Sequence, residues 1–307
     1  MPSNTSPDPA PRSTIVVPSH GRPDALRACL AALAVQDDPS REVVVVDDGS
    51  PTPLAPLCAE FAGVRCVRQA NAGPAAARNR GAREARGAFL AFTDDDCRPR
   101  PGWLSALRRA WDEDARRMVG GRVVNGLPRN PYASASQGLC DYIYDYYGAA
   151  SGEAQFFTTN NLGVARGAFE RVGGFDEAFP LAAAEDRDLG MRWREGGGTL
   201  VFAPDAVVEH HHALTLRRFF RQHANYGRGA RHLHRALDRR GAAPPKVEPA
   251  RFYAGLLLWP VRRWGLRGLG GVALMGLSQV AMVRGYALAR AEERRRAEAG
   301  EAPDGAV

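Results

Sequence analysis

Two acidic runs stand at the ends of apolar segments that read as buried strands: Asp47-Asp48 after residues 43–46, and Asp94-Asp95-Asp96 after residues 88–92. Adjacent carboxylates repel one another, and a divalent cation relieves the repulsion. Mg²⁺ and Mn²⁺ favour oxygen ligands, and Mg²⁺ is commonly held by one or two carboxylates together with substrate phosphates. The triplet therefore points to an ion bridging the protein and a diphosphate. Taken alone it fits a solvated acidic turn equally well. Other phosphate and metal signatures are missing: there is no G-x-G-x-x-G, Lys246 as the single lysine leaves no G-x-x-x-x-G-K, and H-E-x-x-H is absent.

The elements that must position these carboxylates follow from periodicity. Residues 14–17 are a short β-branched run ended by Pro18, and Pro23 opens a helix with Leu26, Cys29, Leu30 and Leu33 on one face. The unbroken valines 43–46 suit a strand covered on both sides. Residues 64–67 give a further strand, Asn71-Ala72-Gly73-Pro74 a loop into a helix from Ala75 to about Arg86, and Leu104, Leu107 and Trp111 mark the next helix. Beyond it come a strand over 118–125, a tyrosine-rich segment over 132–147, a block over 158–198, and a strand at 200–202. Val207-Val208 then lead to His210-His211-His212, and 216–240 reads as a basic amphipathic helix with Leu216, Phe219, Phe220 and His223 on one face. This alternation predicts an α/β fold, an open and mainly parallel sheet with flanking helices, followed by a C-terminal helical tail. Ligands of such sheets bind beyond the carboxyl ends of the strands, where both acidic runs fall. The expected divisions are a disordered leader (1–12), a main domain (13–240), a linker (241–249), a hydrophobic and basic helical tail (250–297) and a disordered end (298–307).

Composition is that of a globular protein, 45% hydrophobic and 24% charged over 307 residues. The net charge of +7 is unevenly placed: residues 1–190 carry 21 basic side chains against 24 acidic, and the remainder 20 against 10. Such clustering suits a surface that meets something anionic. The cysteines Cys29, Cys58, Cys66, Cys97 and Cys140 are scattered without a C-x-x-C pair, so neither a disulfide framework nor a zinc site is indicated. The Pro- and Ser-rich start lacks an apolar core and does not read as a signal peptide, which predicts a cytoplasmic location.

The combined motifs resemble those of the family 2 glycosyltransferases of the GT-A fold, over roughly residues 14–229. In order they are Val16-Val17-Pro18-Ser19-His20, Val46-Asp47-Asp48-Gly49-Ser50, Asn71-Ala72-Gly73-Pro74 with Ala77-Arg78-Asn79, Phe92-Thr93-Asp94-Asp95-Asp96, Gly173-Gly174-Phe175-Asp176-Glu177, and Glu185-Asp186. The resemblance implies an inverting transferase using a nucleotide diphosphate sugar, with UDP suggested, and Mg²⁺ or Mn²⁺. Pro18, Ser19 and His20 would line the nucleobase, Asp48 would accept a hydrogen bond from it, and Arg78 would reach the base or diphosphate. Asp94 would lie near the ribose with Asp95 beside it as helper or bystander. Asp96 would be the main metal ligand of the D-x-D motif, joined by His210, with His212 the next candidate. Asp186 would be the base that takes the acceptor proton, while Glu185, Asn160 and Asn161 would meet the acceptor, or in the case of Glu185 orient the base. Tyr142, Tyr144, Tyr146 and Tyr147 suit either an acceptor surface or a core.

The tail holds two apolar runs, 252–261 and 268–283, broken by Arg262, Arg263 and Arg267. The longer falls short of the roughly 20 residues that span a bilayer. It suits an interfacial helix pair on an anionic membrane, peripheral on the inner face of the cell membrane, or helices packed on the main domain. No nucleic-acid recognition motif accompanies the basic charge. The expected partners are a nucleotide-sugar donor and a glycan or lipid-linked acceptor. The alternatives are a membrane-surface polyprenyl-phosphate transferase and a non-catalytic nucleotide-sugar binding scaffold. A glycosidase is disfavoured, since its paired carboxylates need no nucleotide.

Overall fold

The structure is a computed structural model that describes residues 11–148, 154, 156–243 and 247–299. The expected leader and disordered end lie almost wholly outside the described residues, as does the middle of the linker. The elements in chain order are β1 (Ser13–Ser19), α1 (Pro23–Ala34), β2 (Arg41–Asp48), α2 (Ala55–Cys58), β3 (Val64–Gln69), α3 (Pro74–Glu84), β4 (Phe89–Phe92), β5 (Cys97–Pro99), α4 (Trp103–Trp111) and β6 (Arg117–Asn125). They continue with α5 (Pro131–Tyr146), β7 (Leu162–Ala165), α6 (Arg166–Val172), α7 (Glu185–Glu195), β8 (Thr199–His210), α8 (Leu216–Arg239), α9 (Ala250–Trp264) and α10 (Leu269–Glu298).

Among the described residues one 8-stranded sheet runs β3-β2-β1-β4-β7-β6-β8-β5. The first four strands are parallel, as the sequence predicts. The valines of β2 are buried on both faces, with α1 contributing Leu26, Cys29, Leu30 and Leu33 to the same core. The far half is mixed: β7 is antiparallel to both β4 and β6, β6 and β8 are parallel, and the short β5 lies antiparallel on β8. The segments around 200–202 and 207–208, expected as a strand and a separate pair, form the single strand β8. Its partner steps from Gly121↔Ala203 to Arg122↔Val207, so the intervening residues bulge out of register. This local irregularity hid the continuity of the strand from its hydrophobic pattern.

Chain order reverses at β1, which has β2 on one side and β4 on the other. In open α/β sheets that reversal leaves a crevice beyond the strand ends, the usual ligand position. Residues after β1 (His20 to Arg22) and after β4 (Thr93 to Asp96) flank it.

The tail is seated on the main domain. Phe252 and Leu256 of α9 and Met275 of α10 share a buried cluster with Leu139 and Tyr142 of α5. On α8, Phe219 and His223 are buried as the amphipathic reading predicts, whereas Leu216 stands exposed. α10 runs along α8 at backbone contact: a Cβ on Gly227 would fall 1.9 Å from the Met282 carbonyl oxygen, and one on Gly285 would fall 1.9 Å from that of Ala224. Arg228 pairs with Glu292 and Arg231 with Glu293 along the same seam. The tail therefore has no core of its own in this arrangement, and 241–249 joins two packed elements.

Gly227→Ala forces these helices apart, since the atom it strikes is backbone and cannot rotate away. Overpacking of this kind costs about 1–3 kcal/mol. The expected outcome is a melting temperature several degrees below wild type in thermal denaturation, and an unchanged value would mean that α10 is not seated on α8.

Candidate active site

The three aspartates point in two directions. Asp95 is fully buried and Asp94 and Asp96 face a cleft of about 2040 Å³. Asp95 accepts from the Ser19 hydroxyl at 2.7 Å and from Arg22 Nε at 3.1 Å, and Arg22 NH1 donates to Asp96 at 2.7 Å. Burial pushes the Asp95 carboxyl up to about 7, more than Arg22 lowers it. Asp95 lies in the turn between β4 and β5 and is folded inward, where it takes up the Ser19 hydroxyl, so neither side chain lines the cleft. Arg22 was not singled out from the sequence. Its signal was a lone arginine between the β1 turn and the helix-opening Pro23, opposite three carboxylates once the sheet is closed.

Arg78 is buried on α3 and joins two distant segments. It donates to Asp94 at 2.8 Å and to Glu185 at 3.0 Å, and its guanidinium lies 5.7 Å from the Phe175 ring centroid. Burial would lower its pKa, but Asp94 and Glu185 outweigh that and raise it, so the cation is secure. The next residue, Asn79, clamps the backbone of Phe175 from both sides, donating to its carbonyl at 2.8 Å and accepting from its N–H at 2.9 Å. The Ala77-Arg78-Asn79 and Gly173 to Glu177 motifs are therefore two halves of one joint.

Glu185 and Asp186 open α7. The residue before them, Ala184, has φ +73, a left-handed conformation that costs a non-glycine residue about 1–2 kcal/mol. This turn aims the first residues of α7 at the cleft. Glu185 is buried on Arg78, and burial together with Asp186 pushes its carboxyl up to about 7. Glu185 lines the cleft with one carboxylate oxygen held by Arg78, an arrangement that suits the orienting alternative of its two expected roles. Asp186 is half-buried and lines the cleft; burial raises its pKa against the lowering influence of Arg187, whose N–H it accepts at 2.8 Å.

The antiparallel register Cys97↔His210 brings the histidines to the aspartates. His210 Nε2 lies 3.4 Å from Asp96 Oδ1, and donor atoms of Asp96, Cys97 and His210 all fall within 4.8 Å of one another. Burial pushes the Asp96 carboxyl up, yet His210, Arg22 and His212 outweigh it and hold it well below the usual carboxylate range. His212 stacks on His210 with ring centroids 3.9 Å apart, and both its ring nitrogens are buried without a partner. Burial pushes His212 down to about 3, leaving a neutral ring. Carboxylate and neutral imidazole are suitable ligands for a divalent cation, and unpartnered buried imidazole nitrogens are costly without one. The Cys97 thiol, driven well up by complete burial, is not a suitable ligand. The residues present therefore fit a Mg²⁺ or Mn²⁺ site at Asp96 and His210.

The expected nucleobase residues sit at the ends of β1 and β2, with His20 just past β1, and none of them lines the cleft. Pro18 is buried and His20 exposed, with His20 Nδ1 2.8 Å from the Asp48 carbonyl oxygen. The Asp48 carboxylate accepts from Ala72 N at 2.9 Å, Gly73 N at 3.0 Å and Gln69 Nε2 at 2.8 Å. Three of about four acceptor positions are taken, so Asp48 chiefly shapes the 71–73 loop. Gly49 belongs to the same turn: with φ +74, and an added Cβ 2.7 Å from Asn71 N, it admits no side chain. Asn160 lines the cleft with its Oδ1 buried and unpartnered. Asn161 does not reach the cleft: it accepts from Trp103 Nε1 at 2.8 Å and donates to the Arg122 and Ala206 carbonyls, which closes the β6–β8 irregularity. Its neighbouring asparagine gave no hint that the two amides face opposite ways. Tyr142 and Tyr144 spend their hydroxyls on Phe252 O and Thr158 N and serve the core.

One cleft thus brings together Arg22, Arg78, Asp94, Asp96, Asn160, Asp186 and His210. Residues 14–173 match the family described as Glycosyl transferase family 2. The chain is 30% identical over 293 residues to the pre-mycofactocin glycosyltransferase of Mycobacterium tuberculosis, covering 91% of this chain and 57% of that protein. It is 26% identical over 226 residues to glycosyltransferase AglE of Haloferax volcanii, covering 71% of this chain and 73% of that one. Among solved structures, mannosyltransferase PcManGT from Pyrobaculum calidifontis, in complex with GDP-Man and Mn²⁺, superposes with a TM-score of 0.61 at 21% identity, covering 95% of this chain and 82% of that one. TarS of S. aureus in complex with UDP-GlcNAc gives 0.54 at 16% identity, covering 94% and 92%. The chain spans a little over half the length of its mycobacterial relative. The family match over more than half of the chain, the mycobacterial relative and the shared fold agree: the chain is a member of glycosyl transferase family 2, with the GT-A fold.

Proposed function

We propose that the chain is an inverting glycosyltransferase that moves a sugar from a nucleotide diphosphate donor, with UDP-sugars the first candidates, to an acceptor hydroxyl of a glycan or lipid-linked glycan. The observation that carries this reading is the sharing of one cleft by Asp96–His210 and Asp186, with Arg78 linking Asp94 and Glu185 between them. That PcManGT and TarS are solved with nucleotide sugars supports the donor class. A lipid-linked acceptor is favoured over a soluble one by the wall that Phe252, Leu256, Trp259 and Arg263 give the cleft.

Asp96 and His210 would hold Mg²⁺ or Mn²⁺. When bound, such an ion neutralises charge that develops on a leaving diphosphate. The rest falls to the chain's own side chains. Pro18 and His20 border the nucleobase position, with Asp48 fixing the loop beside it. Asp94, turned toward the cleft, takes the ribose side. Asn160 offers an unpartnered carbonyl oxygen to a sugar or acceptor hydroxyl. Asp186, in its ionised form, takes the proton of the attacking hydroxyl through the carboxylate oxygen not bound to Arg187 N–H. Arg78, bonded to Glu185 and Asp94, fixes the start of α7.

Three outcomes follow. In thermal-shift measurements with UDP-, GDP- and dTDP-sugars, at least one donor stabilises the protein in the presence of Mn²⁺, by about 2.7 kcal/mol at a hundredfold excess over Kd. Asp96→Ala loses this response, and the absence of any nucleotide response in the wild type would remove the transferase reading. Asp186→Asn keeps the donor-induced shift and loses about 10²–10⁴ in transfer rate. Because the Asp186 pKa is raised, kcat/KM falls as pH drops through a limb lying above the ordinary aspartate value of about 3.9; retained transfer, or a limb at the ordinary value, would dismiss Asp186 as the base. Arg22→Ala leaves buried Asp95 without its counter-ion and lowers stability in the ligand-free protein by about 1–3 kcal/mol. Its readout is the denaturation midpoint.

A further inference from the structure

The outer surface of the tail is apolar where the protein has no need of it. Leu266 and Leu269, at the junction of α9 and α10, are 82% and 59% exposed. Val280 and Val283 continue the apolar surface along α10, and Leu258 and Trp264 add to it on α9. The α9–α10 unit is apolar and long enough by composition to cross a membrane, yet only 22% of its apolar stretch is buried. It does not project from the domain; its inner side is occupied by α5 and α8. Exposed arginines surround the junction: Arg262 and Arg263 end α9, and Arg267 lies between Leu266 and Leu269. An apolar tip collared by cations complements an anionic lipid surface, where apolar side chains enter the headgroup boundary and each nearby arginine adds attraction.

The position of this tip matters as much as its chemistry. Trp264 and Arg267 line the same continuous cleft as Asp96 and Asp186. The cleft therefore has its reacting end at the β1–β4 crevice and an outer lip at the apolar tip. We infer that the α9–α10 junction is a docking surface for anionic membrane lipid, and that it sets the open lip of the cleft against the bilayer so that an acceptor anchored in lipid enters without leaving it. The lipid docking stands on the exposed tip and its arginines alone; the entry of an acceptor rests on the transferase reading.

Co-sedimentation of the full chain with vesicles tests it. The wild type binds phosphatidylcholine vesicles containing phosphatidylglycerol, binds pure phosphatidylcholine far more weakly, and is released as salt rises. Leu266→Asp and Leu269→Asp each weaken binding roughly tenfold or more. Arg262→Glu with Arg263→Glu weakens it more than tenfold, at roughly fivefold for each arginine charge near the surface. Leu266 and Leu269 are exposed and do not line the cleft, so their variants keep the wild-type melting temperature and the donor-induced shift. Failure of the donor shift with vesicle binding intact would cost the transferase reading alone. The docking inference is overturned if wild type ignores phosphatidylglycerol, or if both leucine variants bind as wild type does. It is equally overturned if Leu269→Asp converts a dimer to a monomer without changing vesicle binding, which would assign the face to a second copy of the chain.

Discussion

A guanidinium shut away from water has to be met by carboxylates, and Arg78 is met by two from opposite ends of the domain. Asp94 follows β4, Glu185 begins α7, and the sequence places the second 107 residues from Arg78. An uncompensated buried charge costs several kcal/mol, so neither partner is dispensable. Asn79 makes the same connection in neutral form by holding the Phe175 backbone. Adjacent residues of α3 thus tie the donor half of the sheet to the segment that carries Asp186. The cleft exists because this joint is closed.

Charge at the aspartate triplet is arranged so that each of its carboxylates has a cationic partner. Asp95 has Ser19 and Arg22, Asp94 has Arg78, and Asp96 has Arg22 and His210. Arg22 is the side chain of this set with the most exposure, half of it reaching solvent. The anionic floor of the site is balanced within the chain itself, and Arg22 is the member that solvent or a ligand reaches first.

The parallel half of the sheet and both acidic runs were readable because short unbroken apolar runs, ended by aspartates, mark strands covered on both faces. The antiparallel half was not: β5 is three residues long, and the β8 bulge breaks its alternation. Side-chain direction at the site was the harder problem. Asp95 lies in a tight turn and Asn161 in a single 3-10 turn, and both side chains face the core; in so short a turn the sequence carries no mark of which neighbour faces the cleft. The partners of Glu185 and Asp48, Arg78 and the 72–73 amides, come from other segments and could not be read from their own motifs. Arg22 was missed for the same reason: its meaning lies in Asp95 and Asp96, more than 70 residues away.

Two glycines of α8, Gly227 and Gly229, give that helix a mechanical character. A Cβ on Gly229 would fall 2.3 Å from the carbonyl oxygen of Ala183, directly ahead of the left-handed Ala184 that launches Glu185 and Asp186, while Gly227 is pressed on Met282 of α10. At its far end Arg240 donates to Asp188 of α7 at 2.7 Å. Main chain rests on main chain at both glycines, with no side chain between to yield. α8 is therefore a stiff lever whose one flank bears on the tail and whose other bears on the turn that opens α7, so a tilt of the tail is felt at Asp186 with little slack.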